Sequence, residues 1–325
     1  MADFVLNGSD LAMVQRLQSF IPEKVFDAHA HLHNIAHIKD APQNLSVRHG
    51  TATAKDFLEE EKQIYGQRKL RALFLPLPTV DFQTAGVPEQ VNAWILQQVD
   101  SVPDCAAEVY VKPGDTREYI ESLLINPRVR GFKCYYFNAR TDGALTDADI
   151  GQYLPQIAWE IANERGLVIT VHLVKNASLA DPENLTYIKE KTAKYPNAKL
   201  ILAHCARGFA SWTAIEALRQ LKGIDNIYYD LAAICEPATM FETIRQAGHD
   251  KVLWGTDYCI SKVRARAISC AQSFTWLFDA QNNYNLLCLE SLFAFYQTSL
   301  MLDLSRQQIE DIFYNNAVGL LGLDP

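Results

Sequence analysis

No run of apolar residues in this 325-residue chain approaches the ~18 that a membrane-spanning helix requires, so no membrane partner is expected. No basic cluster is present and the formal net charge is −8, which argues against a surface built to neutralise phosphates and hence against nucleic acid. Neither G-x-G-x-x-G nor G-x-x-x-x-G-K-[ST] occurs, so the glycine-rich loops that cradle dinucleotides and nucleoside triphosphates are missing. Residues Met1 to Asp10 lack the basic-then-apolar pattern of a secretory leader, and the expected location is cytoplasmic. Without an internal repeat, low-complexity tract or linker, residues 1–325 read as one domain.

Close cysteine pairing is also lacking. The seven cysteines (Cys105, Cys134, Cys205, Cys235, Cys259, Cys270 and Cys288) are odd in number and sit inside apolar runs. They read as reduced, buried thiols rather than as a disulfide framework or a zinc ribbon. Cys134, Cys205, Cys235 and Cys259 fall near expected strand ends and are candidates to line a pocket.

What the chain does have is alternation. Short runs rich in Val, Ile and Leu predict strands at 25–31, 70–77, 108–112, 129–135, 167–173, 199–204, 226–231 and 252–257, each nearly continuous in apolar residues, as in parallel strands buried on both faces. Helices are expected at 10–20, capped by Asp10; at 117–124; at 147–165, stopped by Gly166; from Asp181-Pro182 to Tyr195; at 208–221; and at 237–247. Eight strand–helix units in this length favour an α/β fold, a (β/α)8 TIM barrel. A doubly wound open sheet is the other architecture considered, and the first strand ends in histidines where that fold carries a phosphate loop. Residues 1–23 form an N-terminal helical segment and 305–325 a closing C-terminal helix. The 32–69 stretch is an insertion after strand 1, holding a charged helix at 55–68. The segment 259–304 predicts two long helices, and residues 284–301 are apolar enough to form a homo-oligomer interface.

The expected strand ends share a chemistry. His29 and His31 lie one residue apart at the end of strand 1, so they point the same way and can reach one metal ion. Lys133, His172, His204 and Asp257 end strands 4, 5, 6 and 8, and only a closed barrel would gather them at the face where such barrels carry their catalytic groups. A single histidine at a strand end is more often a hydrogen-bonded core residue than a ligand, but the joint pattern is hard to reach by chance. Imidazoles and a carboxylate suit Zn²⁺, and also Mn²⁺ or Fe²⁺. Lys133 is open to three roles: a carboxylated metal bridge, a substrate-anion contact or a buried ion pair. His33, His37 and His49 read as loop residues of the insertion, and His249 as structural. Substrate contacts are expected from Arg207, Tyr135, Lys112 and Glu236 near the rim, Arg207 as a bidentate carboxylate clamp, whereas Lys262, Arg264 and Arg266 read as a solvated face.

The run Phe26-Asp27-Ala28-His29-Ala30-His31, the strand-end His172 and His204, the Trp254-Gly255-Thr256-Asp257 segment, and the closing stretch from Ile309 to Leu323 resemble the amidohydrolase superfamily. The closest branch is amidohydrolase family 2, predicted metal-dependent hydrolases of TIM-barrel fold, and the likeness covers residues 24–323. By that resemblance His29, His31, His172 and Asp257 hold one divalent metal, Asp257 doubles as general base toward metal-activated water, and His204 polarises the substrate or acts as acid or base. A second metal is implied only if Lys133 is carboxylated. The implied activity is hydrolysis of an ester, lactone or amide of a small carboxylated molecule. Non-oxidative decarboxylation, known in the same branch, and a non-catalytic binding barrel are the alternatives.

Overall fold

The structure, a computed structural model, describes residues 5–38, 50–77, 80–278 and 284–325. Eight parallel strands follow one another around a barrel: β1 (Lys24–Leu32), β2 (Lys69–Pro76), β3 (Ala106–Tyr110), β4 (Val129–Cys134), β5 (Val168–Val171), β6 (Lys199–Leu202), β7 (Ile227–Asp230) and β8 (Val252–Leu253). The seam between last and first strand closes through main-chain hydrogen bonds, Ala28 N–H to Trp254 O at 2.9 Å and Asp257 N–H to His29 O at 2.9 Å. The fold is the expected (β/α)8 barrel.

Local signals set most helix ends. Thr53 and Asp56 form a capping box for the helix Ala54–Tyr65, Thr116 caps Arg117–Leu123, and Asp181 caps Pro182–Lys194 with proline at the first helical position. Gly166, at φ +66°, ends Gln156–Arg165 as a left-handed C-cap.

Four expectations are corrected. The first helix, Gly8–Leu17, is capped by Asn7, with Asp10 as the third helical residue of the capping box. The long helix expected over 147–165 is broken, because Pro155 supplies no N–H to continue it and acts as the cap of the second piece. The helix expected from Gly208 starts at Ser211, after a left-handed stretch. After β8 there is one long helix rather than two, Leu287–Met301, preceded by an antiparallel hairpin of β9 (Ala265–Cys270) and β10 (Ser273–Phe278). On β10 polar Ser273 and Thr275 alternate with Phe274 and Trp276, the period-two pattern of a half-buried strand. Most of Leu287–Met301 packs inward, leaving only Leu300 and Met301 strongly exposed at its end.

The floor of the barrel is closed by the C-terminal helical run, Arg306–Glu310, a π turn at Asp311–Asn315 and Asn316–Leu321. Tyr314 belongs to one apolar cluster with Phe26, Leu73, Leu75, Ile201 and Leu253, lies beside Lys24 and Lys69 at the starts of β1 and β2, and its hydroxyl accepts from Arg71 Nη1 at 2.9 Å. Trp254 N–H donates to Ile312 O at 2.8 Å. With that end plugged, ligands reach the barrel from the strand C-termini. Among the described residues no helix is long and apolar enough to cross a membrane.

Strands β1 and β8 approach so closely at Gly255 that a Cβ there would lie 2.9 Å from His29 Cβ and 3.3 Å from Ala232 Cβ. Gly255→Ala is therefore expected to destabilise the fold by about 1–3 kcal/mol, as overpacking of a dense interior does. Urea denaturation of the two proteins measures it, and an unchanged midpoint would contradict the close seam.

Candidate metal centre

Both histidines of β1 face the barrel axis, and their free nitrogens meet. His29 Nδ1 lies 2.9 Å from Asp230 Oδ2 and His31 Nδ1 lies 2.9 Å from Pro76 O. A carboxylate and a carbonyl only accept, so each Nδ1 carries the proton and each Nε2 presents a lone pair. Those two Nε2 atoms are 3.1 Å apart. Asp257 Oδ1 lies 3.2 Å from His31 Nε2 and 3.7 Å from His29 Nε2, buried and without a hydrogen-bond partner among the described residues. Three electron-pair donors thus converge with no donor proton between them. A cation fits there.

Burial keeps the imidazoles of the cluster neutral. Desolvation holds His29 and His172 well below the ordinary imidazole range and brings His31 down to about 3, with the Lys133 charge adding to the effect at His29 and His31. Neutral imidazole is the form that ligates metal. Desolvation also pushes the Asp257 carboxyl up to about 6, against the opposing pull of His204 and Lys133.

Asp230, at the end of β7, is the residue that sequence reasoning missed. Its Oδ2 accepts from His29 Nδ1, while its Oδ1 accepts the N–H groups of His204 at 2.8 Å and Ala232 at 3.1 Å. His29, His204 and Asp230 also place ligand atoms near one another, but Asp230 is spent on these three donors and acts by orienting the imidazoles. The signal was available: β7 ends in an acid as the strand-8 run does.

His204 begins a left-handed stretch, with φ of +57°, +49°, +59° and +57° at His204, Cys205, Ala206 and Arg207. For non-glycine residues this costs about 1–2 kcal/mol each. Hydrogen bonds offset part of it: Ser178 Oγ donates to Ala206 O at 2.6 Å and Arg207 O at 3.2 Å, and His204 Nδ1 donates to Ala232 O at 2.9 Å. The coil brings both His204 and Arg207 onto one cavity. His172, from the end of β5, joins it with its ring 5.0 Å from that of His204, outside the tight group formed by His29, His31 and Asp257.

The cavity measures about 350 Å³ and is lined by these histidines, Asp257, Lys133, Arg207, Tyr135 and further aromatic rings. Lys133 is buried, its ammonium 5.4 Å from the Tyr135 ring centre, and desolvation lowers its pKa while Glu108 opposes. Glu108 accepts from Thr170 Oγ1 at 2.6 Å, and burial raises its carboxyl above the ordinary range.

Other expected contacts lie elsewhere. Lys112 is two residues beyond β3 and folds back onto Asp115 at 2.6 Å and Glu89 at 3.3 Å. Glu236 Oε1 accepts the Ser269 N–H at 3.3 Å, outside the cavity. Cys134, Cys205, Cys235 and Cys259 are buried, but none lines it, and Cys270 is exposed on the hairpin. The expected solvated face is also absent: Lys262 is buried on Glu61, Arg264 pairs with Asp10 at 2.6 Å, and Arg266 with Glu290 at 2.8 Å. His33 donates through Nε2 to Gly50 O at 2.8 Å, placing its Nδ1 3.4 Å from Cys259 Sγ. His37 stands beside Trp94, His249 beside Asp311 at 3.6 Å, and His49 lies outside the described residues.

Comparison with solved structures finds the same barrel at low identity. An amidohydrolase 2 from Bifidobacterium longum subsp. infantis is 15% identical, with 93% of this chain and 99% of that chain covered at a TM-score of 0.60. A probable 2-pyrone-4,6-dicarboxylic acid hydrolase from Acinetobacter baumannii with citric acid bound is 14% identical, covering 92% and 100% at 0.62. A 2,6-dihydroxybenzoate decarboxylase complexed with 2,6-dihydroxybenzoate is 14% identical, covering 93% and 99% at 0.61. A search of curated proteins found no match. The amidohydrolase family model matches residues 26–323, and with nearly the whole chain inside that match, the protein belongs to the amidohydrolase family.

Proposed function

We propose that this protein is a metal-dependent hydrolase that cleaves an ester, lactone or amide bond of a small carboxylated substrate. The observation that carries the reading is the convergence of His29 Nε2, His31 Nε2 and Asp257 Oδ1, three buried lone-pair atoms with both imidazoles fixed from behind. His29, His31, His172 and Asp257 would hold one divalent ion, Zn²⁺ suiting the mixed nitrogen and oxygen set best, with Mn²⁺ or Fe²⁺ as substitutes. Such an ion supplies Lewis acidity and makes water acidic enough to react near neutral pH.

The protein's own groups do the rest. Asp257 takes the proton of the attacking water, and the burial that raises its carboxyl toward neutrality matches it to that task. His204 faces the substrate as polarising or proton-donating group, its tautomer set by Ala232 O. Arg207 clamps the substrate carboxylate and Tyr135 offers its ring, while its hydroxyl stays on Pro76 O at 2.6 Å. Lys133 remains an amine in this reading, since carboxylation would add an anion beside Glu108, Asp230 and Asp257. Lys112 and Glu236 drop out as substrate contacts. The enzyme would work in the cytoplasm on a small molecule, as one domain.

A second reading is non-oxidative decarboxylation, favoured by the aromatic lining of the cavity around Arg207. Carbon dioxide release from aromatic carboxylates, assayed beside lactone and amide hydrolysis, separates the two. A non-catalytic barrel predicts neither activity and no bound metal.

Dialysis against a strong chelator should abolish turnover, and about one equivalent of Zn²⁺ or Mn²⁺ per chain should restore it. Elemental analysis checks the stoichiometry, and two equivalents would return Lys133 to the ligand set. Asp257→Asn should lower kcat by at least ~10²-fold, the usual scale for loss of a positioned base. Full turnover in a metal-loaded Asp257→Asn protein would remove Asp257 from the mechanism.

A further inference from the structure

The hairpin β9–β10 stands at the cavity mouth, and its inner face is aromatic. Phe274 and Trp276 are two residues apart on β10 and so share one face, while Ser273, Thr275 and Leu277 take the other. Opposite them on β9 stand Ser269 and Ala267. These small neighbours leave the two rings standing clear, and both line the cavity. Phe209 extends the surface inward, 5.1 Å from Phe274, 5.3 Å from Trp276 and 5.3 Å from the His204 ring. A chain of tilted and edge-to-face rings, Phe274 and Trp276 at 87° to each other, thus runs from the hairpin to the candidate acid–base histidine.

Arg207 lies over one of these rings, its guanidinium 5.2 Å from the Phe274 ring centre. Among the described residues its guanidinium makes one hydrogen bond, Nη1 to Lys175 O at 3.2 Å, and no ion pair. A guanidinium has five N–H donors in a planar fork, so most of the fork faces the cavity unspent. A half-buried cation without a counter-ion calls for an anion from the ligand.

We propose that the β9–β10 hairpin is the specificity element of the site: Trp276 selects a planar, conjugated ring by stacking, Phe274 stands edge-on to it with Arg207 over its own face, and Arg207 pairs with a carboxylate borne on the ligand ring. This deepens the functional reading above and rests on that cavity being the substrate site. Stacking requires a flat π-face, which a saturated, puckered ring lacks. The sign of the preference is therefore diagnostic. A merely apolar pocket would favour the more hydrophobic saturated acid, whereas a stacking wall favours the flat one.

The test uses two unreactive probes of equal charge and similar size, benzoate and cyclohexanecarboxylate, titrated into the metal-loaded protein and followed by ligand NMR. Wild type should bind benzoate about three- to tenfold more tightly, the scale of one aromatic stacking contact. Trp276→Leu keeps apolar bulk on the hairpin and should erase or reverse that preference. Arg207→Gln should weaken both acids by about tenfold or more, the scale of a charge-assisted hydrogen bond. Equal or tighter binding of cyclohexanecarboxylate by wild type, or a preference that survives in Trp276→Leu, overturns the proposal. Because neither probe reacts, failure of every hydrolysis assay with the benzoate preference intact would fell the hydrolase reading and leave the hairpin's role standing.

Discussion

One buried carboxylate governs how the barrel closes. Asp27, on β1, is fully buried and takes the N–H of His29 at 2.9 Å, the N–H of Thr256 at 3.0 Å and the Thr256 hydroxyl. It thereby ties the residue that carries the first imidazole to the turn that carries Asp257. Burial pushes the Asp27 carboxyl up to about 7, with those hydrogen bonds pulling the other way. An unsatisfied carboxylate at this depth would be costly, so the seam holds only where all its donors are present. Gly255 adds the second condition, since a side chain there would force β1 and β8 apart.

From that seam outward, the axis of the barrel is polar where most protein interiors are apolar. Asp27, Glu108, Asp230 and Asp257 are all buried around it with Lys133, His29, His31 and His204. Such a group can be kept only if its members satisfy one another or a ligand does. Asp230 is satisfied internally, by three N–H donors. Asp257 Oδ1 is not. That difference separates the two acids: Asp230 orients the imidazoles, and Asp257 keeps an oxygen open to a ligand. The apolar floor sealed by Tyr314 supplies packing at the opposite end, where no chemistry needs a strained backbone.

The strand ends were legible because a buried parallel strand is a continuous apolar run, and a polar residue closing such a run is conspicuous. His29, His31, Lys133, His172, His204 and Asp257 all reach one cavity for that reason. Asp230 was equally conspicuous in form, but it belongs to no spacing that marks a ligand, and its role appears only when its three donors are in place. Lys112 and Glu236 were read by nearness to strand ends, and nearness along the chain does not say where a loop turns. Lys112 is captured by Asp115 three residues on. The hairpin was hidden for another reason. Its alternation is short, and its inner residues are aromatic and small rather than uniformly apolar, so period two competed with an expectation of helices. The break at Pro155 was readable and was passed over in favour of a single helix.

The left-handed coil from His204 to Arg207 joins the two halves of the site. A regular strand end would send residues 204 and 207 in directions fixed by period two, to opposite faces. Coiling to the left returns both to the cavity, His204 toward the imidazoles of β1 and β5 and Arg207 toward the ring of Phe274. The strand ends thus determine the donor set, and the loops determine the surface that meets the rest of a ligand. Because one strained segment carries both, His204 and Arg207 cannot move independently. In the proposed reading, four residues of backbone set how far a carboxylate held by Arg207 lies from His204.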